Sequence, residues 1–189
     1  MKKAVQMLSA AKRPLIYFGG GVTLSNASQE LFDFVQTLNI PCTSTLMGLG
    51  AYPSGEQHYL GMLGMHGTYE ANLAMQNADV VLAIGARFDD RVVSVPAKFL
   101  ENGKKIIQID IDPSSIAKRV KVDVPIVGDV KNVLTEMRKL WEKQEMHFQA
   151  AALEKWWKTV ESWRSRECLR LPETNDGELI LPQYVIQTL

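Results

Sequence analysis

Residues 61–93 constrain the fold more than any other stretch, because a glycine-rich loop, a helical segment, a buried strand and a second glycine turn follow one another there. Residues 78–84 form a nearly continuous apolar run that ends at Gly85, a pattern typical of a strand buried on both faces. Residues 68–77 predict a short helix before it, with Leu73 and Ala74 buried. Such a strand belongs to a parallel sheet that helices cover on both faces.

The first charged residues after this strand stand where a ligand would lie. In an open parallel sheet, ligands bind outside the carboxyl ends of the strands. The turn after the strand reads GARFDDR, which places Arg87 and Arg91 at that edge. A guanidinium group presents a planar fork of donors, so both arginines are well suited to a phosphate.

The chain repeats this alternation of strand and helix up to about residue 145. We predict strands at residues 15–18, 41–45, 78–84, 104–109 and 124–127, with a sixth near Tyr59 and Leu60. We predict helices at residues 2–11, at 27–38 after a cap by Ser25 or Asn26, at 115–120 after a cap by Asp112 or Ser114, and in a long segment that Asp129 caps. Residues 96–102 predict a short helix or a turn. The fold class predicted is α/β: a doubly wound, mostly parallel sheet of about six strands, flanked by helices.

The strand pattern ends beyond residue 145. An apolar stripe at helical spacing follows, formed by Leu153, Trp156, Trp157, Val160 and Trp163. It predicts a helix that covers the sheet or bridges to another domain, which we prefer to an aromatic cofactor site. Residues 171–181 have the composition of a linker, and residues 181–189 begin another helix. We therefore expect an α/β nucleotide-binding domain at 1–147 and a helical linker at 148–189, which leads into a further domain of a longer polypeptide.

Charge and cysteine content exclude several classes of protein. Lys+Arg and Asp+Glu both number 21, which argues against binding nucleic acid or a membrane through bulk charge. The two cysteines, Cys42 and Cys168, are far apart, so we predict neither a disulfide framework nor a zinc site, and a reducing cytoplasm fits. We find no secretory signal and no apolar run that could span a bilayer. His58 and His147 have the surroundings of surface residues.

Glycines and acids recur where the predicted strands end. Glycines follow four strands, in GGG at 19–21, MG at 47–48, GMHG at 64–67 and GAR at 85–87, and acids follow two more, in DID at 110–112 and GD at 128–129. These ends share one edge of a parallel sheet. Glycine allows close backbone approach, and carboxylates suit ribose hydroxyls or an adenine amine. The sequence therefore predicts a dinucleotide site, for a ligand such as FAD or NAD.

The usual nicotinamide fingerprint is not met. Leu24 stands where Gly or Ala would close the GxGxxG pattern, and no acid follows the second strand. A standard NAD dehydrogenase is therefore disfavoured.

We predict no catalytic residue and no metal site in this chain. His66 has no serine, cysteine or acid partner beside it in the sequence, so we interpret it as a turn residue or one that packs on a ligand. Asp89 and Asp90 can bind a metal, but adjacent carboxylates at a strand end more often pair with arginine, and Arg87 and Arg91 are near. No Ser-His-Asp set, phosphate-binding P-loop or zinc spacing is present.

Five stretches resemble a known family: YFGGGV, STLMGLGAYP, LGMLGMHGTYEANLAMQNADVVLAIGARFDDRV, IDIDPSSI and DVPIVGDV. Together they closely resemble the central domain of bacterial acetolactate synthase (acetohydroxyacid synthase) catalytic subunits. The resemblance is dense over about residues 1–145 and looser to residues 181–183, which look like the entry into that family's C-terminal domain. GMLGMHGTYEAN together with GARFDDRV is specific, because other thiamine-diphosphate enzymes usually do not keep both motifs.

The resemblance implies a full enzyme with three α/β domains. The outer two, from paired subunits, would bind thiamine diphosphate and Mg²⁺, decarboxylate pyruvate and join the two-carbon unit to a second 2-ketoacid in branched-chain amino-acid biosynthesis. The central domain would hold FAD. Partners implied are the other domains of the same chain, a second copy in a homodimer or larger assembly, and a small regulatory subunit.

The resemblance also implies which residues contact FAD. Those after the first three strands would be Gly20, Gly21, Thr45, Leu46, Met47, Leu63, Gly64, Met65 and His66. The pyrophosphate and ribityl region would be held by Gly85, Ala86, Arg87, Asp89, Arg91 and Val92, and the adenosine end by Asp110, Ile111, Asp129 and Val130.

Two family motifs are missing from the sequence. The glutamate that activates thiamine belongs to the family's N-terminal domain, and the GDG motif that holds the diphosphate and magnesium belongs to its C-terminal domain. We therefore expect the fragment alone to be inactive. Two alternatives remain: the same domain of a related thiamine enzyme, of glyoxylate carboligase or pyruvate oxidase type, or a non-catalytic assembly module with a vestigial nucleotide site.

Overall fold

The computed structural model describes residues 1–170 and 180–189. In this part the strands are β1 (Pro14–Phe18), β2 (Cys42–Ser44), β3 (Tyr59–Met62), β4 (Val80–Ile84), β5 (Lys105–Asp110) and β6 (Val124–Val127). They form one sheet in the order β3-β2-β1-β4-β5-β6, and every neighbouring pair is parallel. The predicted sheet is confirmed, including its sixth strand near Tyr59.

Helices cover both faces of the sheet. They are α1 (Lys2–Ser9), α2 (Gly20–Leu24), α3 (Ser28–Leu38), α4 (Tyr69–Asn77), α5 (Pro96–Leu100), α6 (Val130–Lys143), α7 (Ala150–Arg164) and α8 (Pro182–Thr188), with a 3₁₀ turn at Leu46–Gly48. In β1, Ile16 packs in one apolar cluster with helices α1, α3 and α6, whereas Leu15 packs in another with α4 and α7. All five residues of β1 are buried because successive side chains enter opposite layers. The predicted doubly wound α/β class is confirmed.

The predicted helix cap at Ser25 or Asn26 and the predicted burial of Leu73 differ from the structure. Helix α3 begins after Ala27 without a side-chain cap, so neither Ser25 nor Asn26 caps it. Ser25 instead ends α2, a short helix that was not among the predicted elements. In α4, Ala74 is buried as expected, but Leu73 is only half-buried.

The predicted helix at 115–120 does not form. The Asp112 carboxylate accepts hydrogen bonds from the Ser114 backbone N–H at 2.9 Å and from the hydroxyls of Ser114 and Ser115 at 2.8 and 3.1 Å. Such local bonds compete with helical ones, so the segment is a series of turns. The cap by Asp129 is confirmed, because its carboxylate accepts from the Asn132 N–H at 3.1 Å at the start of α6.

The tryptophan-rich helix α7 covers the sheet, as its apolar stripe predicted. Trp156 is 2% exposed, and its Nε1–H donates to the Pro14 carbonyl at 2.9 Å. The neighbouring Trp157 donates to the Asn39 carbonyl at 2.9 Å in a more exposed position. His58 is half-buried beside it, with ring centroids 5.7 Å apart, so the surface interpretation of His58 is wrong.

The predicted linker at 171–181 falls largely on residues 171–179, which lie outside the described residues. His147 is exposed, as expected. Within residues 1–170 and 180–189, no helix is long and apolar enough to cross a membrane.

Lys104 is a buried cation at the start of β5. It is 5% exposed, its Nζ donates to the Met75 carbonyl at 2.5 Å, and Nζ lies 4.0 Å from the centroid of the Phe99 ring. Burial lowers the pKa of Lys104 to about 8.

We expect the two indole hydrogen bonds of α7 to differ in their contribution to stability. Trp156→Phe leaves the buried Pro14 carbonyl without its donor and should lower the free energy of unfolding by about 1–3 kcal/mol. The matched variant Trp157→Phe loses a bond that water can replace, so its loss should stay below about 1 kcal/mol. Urea unfolding of both variants measures the difference, and equal losses would contradict the packing of α7 described above.

Because Lys104 is buried, we expect the free energy of unfolding to rise at alkaline pH. The pKa of Lys104 is lowered from 10.5 to about 8 in the folded protein, so between these values the unfolded chain binds the additional proton. The wild type should therefore gain at most about 3 kcal/mol over Lys104→Met as the pH rises from 8 to 10.5. Urea unfolding across this range measures it, with Lys98→Met at an exposed position as the control. Stability curves of wild type and Lys104→Met that run parallel would contradict the assignment.

Candidate functional site

The carboxyl ends of the strands border a cavity of about 720 Å³. Because all six strands are parallel, their following turns meet at this edge. Every residue that the sequence analysis assigned to the nucleotide site, except Ala86, lines the cavity. We call it the main cavity.

Ala86 lies beneath the wall of the main cavity. It is 2% exposed, and its side chain packs in the apolar cluster that also contains Tyr17 and Phe88. Its carbonyl accepts a hydrogen bond from the Gln108 side chain at 3.3 Å. Ala86 therefore supports the turn after β4 from below.

Four lining residues were missed from the sequence: Leu24, Ser25, Met62 and Ser115. Leu24 and Ser25 reach the cavity because residues 20–24 coil into α2. Ser115 reaches it because Asp112 turns the chain there instead of starting a helix. Neither local structure was predicted. Met62 is the last residue of β3, but the sequence predicted this strand only near Tyr59 and Leu60. A longer predicted strand would have included Met62.

The floor of the main cavity is a close contact between two backbones. The Gly21 N–H donates to the Gly85 carbonyl at 3.1 Å, and a Cβ on Gly21 would lie 2.6 Å from the Gly85 Cα. Gly85 has a φ of +54°, a conformation that favours glycine. Both positions require glycine, so the main chains of the β1 and β4 turns lie directly against the cavity.

The chemistry of the wall changes along the sheet edge. At the β2 and β3 end, the wall carries the exposed apolar side chains of Leu46, Met47 and Met65. At the β4 turn it carries two exposed guanidinium groups, Arg87 and Arg91, and one exposed carboxylate, Asp89, so cationic groups predominate there. The β5 and β6 end carries two carboxylates, those of Asp110 and Asp129. The main cavity is thus apolar, then cationic, then acidic.

Hydrogen bonds fix the Asp129 carboxylate at the acidic end. The Ser25 hydroxyl donates to it at 2.5 Å, and the Ser25 oxygen accepts from the Lys131 N–H at 3.1 Å. The hydrogen bond from Ser25, followed by the one from the Asn132 backbone, holds the pKa of Asp129 below its usual value. Asp129 is therefore ionised at neutral pH and can accept from a hydroxyl or an amine.

The glycine loop after β3 is held by Asn72. Its side-chain oxygen accepts from the Gly64 N–H at 2.9 Å, and its amide donates to the Gly64 carbonyl at 3.0 Å. Thr68 caps α4 by accepting from the Ala71 N–H at 3.2 Å. This places Met65 and His66, both exposed, on the wall of the main cavity.

The expected pairing of Arg87 and Arg91 with Asp89 and Asp90 is not observed. Among the ion pairs of the described residues, none joins these groups. Instead, the Asp89 carbonyl accepts from the N–H groups of residues 92 and 93, which folds the segment into a turn. The guanidinium donors remain available to an anion. Residues 1–170 and 180–189 contain no cluster of three or more metal-ligating side chains.

Comparison with known proteins identifies the family to which this fold belongs. Residues 1–137 match the family described as thiamine pyrophosphate enzyme, central domain. The chain belongs to the central domains of thiamine pyrophosphate enzymes. Its fold is therefore that of a central domain.

Three relatives are described as acetolactate synthase large subunits, one of them as a probable one. The chain is 47% identical over all 189 residues to the acetolactate synthase isozyme 3 large subunit of Escherichia coli and to the acetolactate synthase large subunit of Haemophilus influenzae. It is 50% identical over 139 residues, or 74% of the chain, to the probable acetolactate synthase large subunit of Methanococcus aeolicus. The chain spans about a third of the first two relatives, at 32% of each, and 23% of the third.

Because the two glycine turns are in contact, we expect two glycine-to-alanine substitutions to differ clearly in the free energy of unfolding. Gly21→Ala brings a methyl group against the backbone of Gly85, so one turn must move, at about 1–3 kcal/mol of unfolding free energy. Gly55→Ala is the matched control, because a Cβ there meets nothing within 4 Å. Denaturant unfolding of both variants tests this. If Gly21→Ala were as stable as Gly55→Ala, the turns would not be in contact.

Proposed function

We propose that the chain is the FAD-binding central domain of an acetolactate synthase catalytic subunit. One observation carries this proposal: the main cavity runs from an apolar end through two arginines to two carboxylates, in the order of the parts of FAD. The relatives described as acetolactate synthase large subunits, which align over the whole chain, support the choice of enzyme.

The residues of the main cavity fit FAD part by part. Leu46, Met47 and Met65 offer an apolar surface to the flavin ring. Arg87 and Arg91 offer charged donors to the pyrophosphate, for which such bonds are strong.

At the other end, the carboxylates of Asp110 and Asp129 can accept from ribose hydroxyls or the adenine amine. Ile111, exposed beside them, offers an apolar contact for the adenine ring. The Gly21–Gly85 contact allows the ligand to lie on the main chain. The remaining residues assigned from the resemblance would complete this binding site.

The complete enzyme would carry out its chemistry outside this domain. Thiamine diphosphate and Mg²⁺, bound by the neighbouring domains, would supply the decarboxylation of pyruvate and its joining to a second 2-ketoacid. We place no catalytic residue and no metal ligand in this chain. The complete protein would act in the cytoplasm, as a homodimer or larger assembly with a small regulatory subunit, and without nucleic acid or a membrane as partner.

We propose that the domain ends at residue 147 and that residues 148–189 lead towards the thiamine-diphosphate-binding domain. Helix α6 ends at Lys143 and α7 begins at Ala150, so this boundary falls between two helices. Because Trp156 packs against the sheet, the first part of this linker runs along the central domain.

A titration of the complete protein with FAD, FMN and NAD tests the cofactor, with flavin fluorescence and calorimetry as readouts. We expect FAD to bind in clear preference to both others, since only FAD combines a flavin ring, a pyrophosphate and an adenosine. Selective binding of NAD, or no binding at all, would overturn the proposal. Supplying pyruvate alone tests the enzyme class: an acetolactate synthase makes acetolactate, whereas an oxidase consumes oxygen.

Arg91→Ala should weaken FAD binding through the loss of charge-assisted hydrogen bonds to the pyrophosphate. We expect the dissociation constant to rise by about 10- to 100-fold. Lys98→Ala, which removes an exposed cation outside the lining of the main cavity, should leave it unchanged. Calorimetric titration of both variants measures this. Unchanged FAD retention in Arg91→Ala would remove the phosphate assignment and would also favour a vestigial site.

A further inference from the structure

A second cavity of about 380 Å³ lies beside the main cavity. Three residues, Arg87, Asp89 and Ser115, line both. The remaining wall includes Asp90, Gln108 and the cationic pair Lys118 and Arg119, together with Phe88 and Val120. We call it the side cavity. The proposed FAD site uses neither Lys118 nor Arg119.

The loop that carries the cationic pair is fixed by Gln108. This side chain is 1% exposed, and its amide donates to the carbonyls of Ala86 and Ser115, both at 3.3 Å. Its oxygen accepts from the Ala117 N–H at 3.1 Å. One buried side chain thus joins the β4 turn to the loop across the base of the side cavity.

Ala117 shows that this loop is held in a costly conformation. Its φ is +57°, the left-handed region that alanine rarely adopts. Such a conformation persists only where the surroundings impose it, and here the hydrogen bond to Gln108 does so. A plain connection between β5 and β6 has no need of this strain. Its effect is to place the next two residues, Lys118 and Arg119, on the wall of the side cavity.

The charged groups of the side cavity are available to a ligand. The Arg119 Nε–H donates to the Val93 carbonyl at 3.0 Å, which orients the guanidinium. This bond does not use the two terminal nitrogens, which can donate to a ligand. Among the ion pairs of residues 1–170 and 180–189, none includes Lys118, Arg119, Asp89 or Asp90. Cationic donors and carboxylate acceptors therefore line one open cavity, and no ion pair of the described residues joins them.

We propose that the side cavity binds a small sugar phosphate, at a site separate from the FAD site. The phosphate would accept hydrogen bonds from Lys118 and Arg119, and the sugar hydroxyls would donate to Asp90, which lines the side cavity alone. Each ligand group thereby meets the opposite hydrogen-bonding character. The volume is at the lower end of the range for small-molecule sites and too small for a second dinucleotide. A metal is disfavoured, because the two carboxylates share the cavity with three cationic side chains.

Calorimetric titration of the complete protein with ribose 5-phosphate tests this proposal, first without FAD and then with saturating FAD. We expect binding in both cases, with affinities that differ by less than about tenfold, because Arg87 borders both cavities. Inorganic phosphate should bind more weakly than ribose 5-phosphate, since it lacks the sugar hydroxyls for Asp90. No binding of ribose 5-phosphate, or equal affinity for inorganic phosphate, overturns the proposal.

Variants locate the bound ligand. Lys118→Met and Arg119→Gln should each weaken ribose 5-phosphate binding by about tenfold or more, and Lys121→Met, an exposed lysine outside the lining, should not. Lys118 is exposed, so its substitution tests the site even if Arg119→Gln loses stability through the Val93 contact. Unchanged binding in Lys118→Met overturns the assignment. A loss of more than about tenfold on saturation with FAD also overturns it, because the side cavity would then belong to the dinucleotide.

Discussion

The contact between the backbones of the β1 and β4 turns is the constraint on which the rest of the site depends. Gly19 donates to the Ile84 carbonyl at 3.0 Å and Gly21 to the Gly85 carbonyl at 3.1 Å, so the two turns are hydrogen-bonded along their length. Any side chain at Gly21 or Gly85 would meet backbone atoms at 2.6 Å. Because the turns lie this close, the floor of the main cavity is main chain, and the side chains that follow each turn form its walls.

The order of the strands in the parallel sheet determines the order of apolar, cationic and acidic side chains along the main cavity. Strand β1 lies near the centre, with β2 and β3 on one side and β4, β5 and β6 on the other. The apolar residues after β2 and β3 are therefore separated from the acids after β5 and β6 by the arginines after β4. A long ligand with an apolar ring, a charged middle and a hydrogen-bonding end fits this arrangement in one direction.

The second layer of contacts holds these turns in place. Asn72, Gln108 and the Ser25–Asp129 pair each tie a loop of the cavity to a regular element through hydrogen bonds. Each is a polar side chain whose partners are distant in sequence or lie in a turn. The loops are therefore fixed by tertiary contacts, and the glycines provide the space in which those contacts can form.

The sequence by itself determined the class of fold and most of the cavity wall. Buried apolar runs that end at glycine, such as residues 78–84, specify strands in a covered parallel sheet, and parallel strands bring their ends to one edge. Only the tertiary structure decided that residues 20–24 form a helix, that Asp112 turns the loop at 115–120 away from a helix, and that Ala86 lies beneath the wall. Periodicity reports which side chains are buried. It does not predict hydrogen bonds between distant residues, and those bonds determine the positions of the loops.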